Sequence, residues 1–511
     1  MEGENTKQLR LGTALSYLQT AISVIISLIY TPAMLSLLGK NEYGLYSLSA
    51  AVIAYVTLLN SGFSGSYVRF YSRAKASGDS DAVAKTNGLF AIVFACIGVL
   101  ALVAGLVLTS SAELIFDKGL TAAEYATGKA IMLVLTVGTA YELITNIYSV
   151  IIIANERFVF HKAVNLLKTV LSPTLTWILL LFGYRSLMMA VVTASLTVAV
   201  NTFYLIYCYR RLHVRIDLRH PSLSQLKEIS VFSAFIVLIA LVDQINWSVD
   251  KLLLGRMWGP AYTAVYVVGG TVHHLYMQLS TAISNVFIPR VNRIVAENGS
   301  CEALNDSFIR IGRMQTMVLL PVLLGFIFLG QSFIALWTPG GYEESYWAAL
   351  LLLIASFVPY IQNIGLSIQA AQNKHRFRSY LLAAVAACNF IVSVFLCRAY
   401  GVVGCAIGTA LAMLVGDGLI MNIYYHKAIG LDIPRFWRSM ASFLPTTLLL
   451  SLLGYFIMHY ASPDSWLTLI LWGGVFCLAY AVLVFFTALD REEKSAVRAL
   501  LHRFCKGRSS Q

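Results

Sequence analysis

The sequence predicts an all-α integral membrane protein of about fourteen transmembrane helices: two six-helix lobes plus two extra C-terminal helices. Composition, the spacing of apolar runs and the placement of positive charge carry that prediction. Of the 511 residues, 58% are hydrophobic and 12% charged, whereas a soluble globular chain carries about 25% charged residues. So apolar a chain cannot cover itself with polar surface, and its solvent must be largely lipid. Tyr, Phe and Trp number 27, 27 and 8, as expected where rings anchor helices at headgroup depth.

A span needs roughly 20 apolar residues. The first such run, near 11–38, is about twice the length of a signal-peptide core. It leads straight into GKNEYG with no small-residue cleavage site, so it is expected to be a retained helix. Spans 2 to 6 follow near 44–68, 86–109, 125–153, 160–182 and 186–208. Spans 7 to 12 lie near 229–254, 260–288, 309–335, 345–371, 379–397 and 402–425, and spans 13 and 14 near 439–460 and 465–488. No remaining stretch has the length or composition of a soluble domain, and the acidic loop 110–124 is too short to house a catalytic one.

Charge sets the orientation. With the N-terminus inside, 30 of the 37 Lys and Arg residues fall in cytoplasmic segments. Only Lys40, Lys118, Lys129, Arg185, Lys251, Arg256 and Arg398 fall at or near the outer ends. Basic residues of short loops stay cytoplasmic, which predicts an even helix count with both termini inside. The net charge of +12 follows from that topology without a nucleic-acid partner, and would face anionic lipid headgroups.

The domain plan reads as an N-terminal lobe (1–208), a basic linker (209–228), a C-terminal lobe (229–427), spans 13–14 (428–488) and a tail (489–511). LLGKNEYGLYSLS in the first half and LLLGRMWGPAYTAVYVVGG in the second each precede a helix ending in two arginines. Tyr46 to Arg73 and Tyr266 to Arg293 are both 27 residues apart, the mark of a parallel repeat. In the tail, Val497, Leu500, Leu501 and Phe504 have the spacing of an amphipathic helix on the inner leaflet, or else belong to a frayed basic end. The eight cysteines form no C-x-x-C pair and lie mostly in apolar runs. They read as small buried hydrophobes, with no metal site expected.

Four carboxylates lie at membrane depth: Glu142, Asp243, Asp250 and Asp417. Such groups face a cavity or a partner. On span 7, Asp243, Asn246, Trp247 and Asp250 share one face by their spacing. Asp243 lies about 22 Å from the helix start at 1.5 Å per residue. Span 4 repeats the pattern with Glu142, Thr145, Asn146 and Ser149, and span 8 with His274, Gln278, Thr281 and Asn285. These stripes either line a cavity or join helices through hydrogen bonds. His273 and His274 read as packing residues rather than metal ligands.

The opening RLGTALSYLQTAISVIISLIYTPAMLSLLGKNEYGLYSL and the stretch NWSVDKLLLGRMWGPAYTAVYVVGG…ISNVFIPRVNR resemble the polysaccharide exporters, or oligosaccharide flippases. Their superfamily also holds the multidrug-and-toxin-extrusion transporters and the lipid II flippase. The resemblance implies a non-enzymatic flippase that moves an undecaprenyl-pyrophosphate-linked oligosaccharide across the bacterial cytoplasmic membrane by alternating access. Membrane lipid and other polysaccharide assembly proteins would be its partners. A pyrophosphate crossing low dielectric needs basic partners. Arg69, Arg73, Arg290 and Lys251 are the candidates, with Glu142, Asn146, His274 and Gln278 as further cavity residues. Arg293 shares the inner end of span 8 with Arg290, and Arg256 the outer end of span 7 with Lys251; the inner-end arginines also serve the charge rule. Gly62 and Gly65 invite a bend that turns Arg69 inward. The related lipid II flippase uses a cation site in its second lobe, so Asp243, Asp250, Asn389 and Asp417 are candidates for Na+ or H+ coupling. No cofactor is expected. A multidrug antiporter is the rival reading, against which spans 13 and 14 argue. A membrane polymerase or ligase would need a large outer loop or a catalytic domain, and neither is present. There is also no Walker A motif for ATP-driven transport.

Overall fold

The computed structural model describes residues 2–495, apart from 115, 117–119, 220–222, 298–299, 373, 375, 461–462 and 492. Its elements are helices, with no strand among the described residues. They are α1 (Glu2–Thr57), α2 (Leu59–Ala76), α3 (Ser80–Ser110), α4 (Ala122–Ala154), α5 (Phe158–Leu181) and α6 (Ser186–Arg210). Next come α7 (Leu223–Met257), α8 (Pro260–Ala296), α9 (Cys301–Trp337), α10 (Glu343–Ile361), α11 (Ile364–Ala371) and α12 (Arg376–Met413). Two π-helical turns, Leu414–Ile420 and Tyr425–Ile429, flank α13 (Met421–Tyr424). The chain then forms α14 (Ile433–Met440), α15 (Leu444–Tyr460) and α16 (Trp466–Thr487).

Ten stretches are long and apolar enough to cross a membrane, and two of them, Leu15–Ala76 and Arg376–Ile429, have double length. The first bends at Gly39 (φ 72°, ψ 174°) and the second at Gly401 (φ 57°, ψ −127°). Residues with a Cβ rarely adopt such angles, so glycine is what allows each chain reversal. With α7 and α8, of 35 and 37 residues, the described helices are enough for about fourteen spans, and the breaks at Leu58 and between α10 and α11 fall inside the predicted spans 2 and 10. Leu181, Phe182, Phe395, Leu467, Leu478 and Phe486 are each at least 65% exposed. An exterior this apolar is stable only against lipid. Several helix starts carry side-chain caps. Thr121 and Glu124 form a capping box at α4, Ser465 and Thr468 one at α16, and Asp79 and Ser300 cap α3 and α9. Each satisfies amide groups that a helix start leaves unpaired.

The chain divides into two compact units: 1–271 with 381–409, and 272–380 with 410–511. In the first, Tyr67, Phe90, Phe94, Leu143 and Ile151 form a core, and Tyr67 Oη donates to Asn87 Oδ1 at 2.7 Å. The basic segment after α6 is pinned within this unit. Asp217 N donates to the Ala84 carbonyl at 3.0 Å, and Asn87 Nδ2 to the Arg215 carbonyl at 3.0 Å. In the second unit, Leu320, Leu324, Leu450, Phe476 and Tyr480 pack α9 against α15 and α16. The predicted tail helix at 497–504 lies outside the described residues.

Candidate functional site

The first unit contains a buried oxygen cluster built from three helices. Asp250, on the last two turns of α7, is 1% exposed. Its Oδ2 accepts from Tyr266 Oη of α8 at 2.5 Å and from Thr409 Oγ1 of α12 at 2.6 Å. Asn389 Nδ2 donates to Thr409 Oγ1 at 3.4 Å, and Ser393 Oγ donates to Asn389 Oδ1 at 3.0 Å. Asp250 Oδ1 has no hydrogen-bond partner among the described residues. Lys251 follows directly and interacts electrostatically with Asp250.

The bend at Gly401 brings these side chains together by folding α12 back on itself. A Cβ at Gly408 would overlap Ser393, and one at Gly404 would overlap the Leu396 carbonyl, so glycines let the two arms touch. Trp258 Nε1 donates to the Cys397 carbonyl at 2.9 Å and holds the turn against the α7–α8 corner. One carboxylate among hydroxyl and amide oxygens is a hard donor set, suited to Na+ or a proton rather than a soft metal. No group of three His, Cys, Asp or Glu side chains among the described residues is arranged to hold a metal ion.

A second polar group in the same unit joins α2 to α4. Asn146 Nδ2 donates to Asn60 Oδ1 at 2.7 Å and to Ser64 Oγ at 3.0 Å. Glu142 is half-buried one turn before Asn146, while Arg69 and Arg73 are exposed near the end of α2. α2 is continuous through Gly62 and Gly65, and the helical interruption falls at Leu58. Gly62 serves close packing, because a Cβ there would overlap the Ser233 carbonyl of α7. Asp243 lies on α7, but its side chain is outside the described residues, as is that of Trp247.

The second unit holds the remaining candidates. His274 is exposed and its Nδ1 meets Gln278 Nε2 at 2.9 Å. His273 is buried, with Nε2 3.0 Å from Tyr360 Oη. Arg290 is exposed near the end of α8. Asp417 is half-buried in the first π turn and acts electrostatically on Tyr360 and Tyr425. Asp250 and Asn389 thus share one cluster, and Asp417 belongs to the other unit.

Sequence reasoning missed Tyr266, Ser393 and Thr409 as parts of the Asp250 cluster. The i, i+4 spacing of Asn389 and Ser393 was the available signal. It also counted Arg313 only as a topological charge. Arg313 is 4% exposed and its guanidinium grips both Glu493 oxygens, Nε to Oε1 at 2.9 Å and Nη2 to Oε2 at 2.7 Å. Nη2 also donates to the Ala488 carbonyl at 2.6 Å, and Nη1 to the Ser439 carbonyl and Ser442 Oγ at 3.1 and 3.0 Å. One side chain therefore ties α9 to the start of span 13 and the end of span 14.

Known proteins share this architecture. The chain is similar to a solved structure of the lipid II flippase MurJ in an inward closed conformation. The TM-score is 0.74 at 13% identity, covering 93% of this chain and 98% of that one. An inward-facing multidrug resistance MATE family transporter gives a TM-score of 0.57 at 14% identity over 82% and 96%. In sequence, the chain is 20% identical to a protein named as an O-antigen transporter in Shigella flexneri, covering 76% of this chain and 91% of that one. It is 22% identical to the membrane protein EpsK of Bacillus subtilis (strain 168), over 95% and 96%. The family described as polysaccharide biosynthesis protein matches residues 34–347. With that match extending over more than half of its length, the chain belongs to the polysaccharide biosynthesis protein family.

Proposed function

We propose that the protein is a flippase that carries a lipid-linked oligosaccharide across the bacterial cytoplasmic membrane for surface polysaccharide assembly. The observation that carries this reading is the similarity, along nearly the whole of the relative, to a protein named as an O-antigen transporter. The fold shared with MurJ agrees with a lipid-carrying role. The transport step changes no covalent bond, so the chain needs no catalytic residue. Both termini lie in the cytoplasm, and Arg69 and Arg73 meet the pyrophosphate as it enters from that side. The undecaprenyl carrier and the other assembly proteins as partners belong to the same proposal.

Coupling rests on Asp250. A carboxylate held at membrane depth by two hydroxyl donors is costly unless its charge is balanced. A bound Na+ or proton would supply that balance. Asp250 Oδ1 offers the unsatisfied acceptor, and Thr409, Asn389 and Ser393 are the neutral oxygens beside it. Gain or loss of the cation then changes how firmly α7, α8 and α12 hold together, which is a means of biasing one arrangement over another.

The test is glycan-lipid translocation in proteoliposomes under imposed Na+ or H+ gradients, with wild type and Asp250→Asn. Wild type should translocate the glycan-lipid and respond to one gradient. Asp250→Asn, inserted at normal level, should lose the response. Failure of wild type to move any lipid-linked oligosaccharide, together with gradient-driven export of organic cations, would replace this reading with the antiporter. An equal gradient response in both proteins would leave Asp250 as a structural residue.

A further inference from the structure

We propose that the corner between spans 12 and 13 is a binding site for one anionic phospholipid, separate from the cargo path. A cleft of about 300 Å³ opens there, walled by Leu419, Ile423, Ile433, Pro434 and Trp437, with Lys427 also in its lining. Its walls are apolar and turned outward: Leu419 is 60% exposed, Ile423 50% and Trp437 38%. The corner lies between two apolar spans, so its level is the boundary of hydrocarbon and headgroups whichever way the protein is oriented.

The cleft owes its shape to unusual backbone. Leu419 belongs to the first π turn, and His426 and Lys427 to the second. Such turns are rare and are found frequently at functional sites. The opposite wall is α14, whose first turn is set by Pro434 and by Asp432 Oδ1 accepting from Arg435 N at 3.0 Å. Trp437 is held upright because its Nε1 donates to Asn422 Oδ1 at 3.2 Å. Asn422 is in turn paired with Gln362, Nε2 to Oδ1 at 2.9 Å and Nδ2 to Oε1 at 3.1 Å.

Charge selects the occupant. Near the cleft, Arg435 is paired with Asp306 at 2.9 Å, and Lys374 donates to the Ala428 carbonyl at 2.7 Å. Lys427 and Arg438, both exposed, have side chains with no hydrogen bond or ion pair among the described residues. Arg438 follows Pro434 by one helical turn and so stands above the same wall. Two uncompensated cations over an apolar cleft, with an indole at the rim, match a phosphodiester headgroup whose acyl chain enters the cleft. A zwitterionic lipid offers the same tail but no net charge to answer them.

The experiment uses the full-length chain in detergent, analysed by native mass spectrometry with phosphatidylglycerol or phosphatidylcholine of identical acyl chains. Wild type should retain one phosphatidylglycerol at concentrations where phosphatidylcholine is not retained. Lys427→Gln and Arg438→Gln should each weaken retention about fivefold, and the double variant about 25-fold. Arg398→Gln, at an exposed arginine between spans 11 and 12, should leave retention unchanged. Both side chains are exposed, so the variants should keep the wild-type unfolding midpoint. Equal retention of the two lipids overturns the proposal. So does a double variant within twofold of wild type, or an Arg398→Gln loss as large as that of Lys427→Gln.

Discussion

Replacing Arg313 by Ala is expected to release spans 13 and 14 from α9. The guanidinium is 4% exposed and meets Glu493 through two parallel bonds, with the Ala488 and Ser439 carbonyls and Ser442 Oγ taking its other donors. Breaking a buried pair from one side costs about 3–5 kcal/mol. Glu493 keeps 23% exposure and can hydrate in part, so about 3 kcal/mol is the expected loss. Glu493→Gln retains an acceptor oxygen and should cost less, about 1–2 kcal/mol, because a neutral acceptor forms the weaker bond. The pair also has a pH signature. Burial raises the Glu493 carboxyl, but the Arg313 fork and the Asp490 N–H outweigh it and hold the group below the usual glutamate range. A depressed carboxylate contributes stability above its unfolded pKa of about 4.3, and that contribution disappears as pH falls through the folded value. The difference between wild type and Arg313→Ala should therefore be full at pH 7 and shrink below about pH 4. Denaturant unfolding in detergent, with limited proteolysis near 490, reads both quantities. A loss under 1 kcal/mol, or a difference unchanged between pH 7 and pH 3.5, would refute the clamp.

If Arg69 meets the pyrophosphate, Arg69→Ala should abolish glycan export at normal protein level. Arg69→Lys should keep part of it, since Lys retains the charge but loses the bidentate fork; normal export by Arg69→Ala would reduce the residue to a topology signal. The proposed orientation predicts that single cysteines at 340–345, on a cysteine-free background, react with impermeant reagents from outside. One at His213 should react only from the cytoplasm, and outside labelling there would reverse the topology.

The fold was legible because bilayer thickness imposes a length on every apolar run, and the interruptions at Gly39 and Gly401 fall between runs of that length. Asp250 and Asn389 stood out for a related reason: a charge or amide at membrane depth has few roles open to it. The packing role of Gly62 was not legible, because a glycine that permits bending and one that permits close packing look the same in sequence. Only the position of Ser233, on another helix, distinguishes them.

By itself, then, the sequence determined the membrane class, the fourteen spans and the polar residues too costly to be incidental. Which hydroxyls answer those polar residues was decided by tertiary structure. A buried Thr can always satisfy its hydroxyl on the carbonyl one turn back in its own helix, as Thr20 does on Ser16 and Thr145 on Tyr141. Thr409 instead donates to Asp250, 159 residues away. Arg313 likewise carries the same charge in any context, and its clamp on Glu493 forms only once α9 and the end of span 14 lie side by side. Local spacing encodes the cost of burying a polar group, whereas its partner is chosen by helices that meet only after the chain has folded.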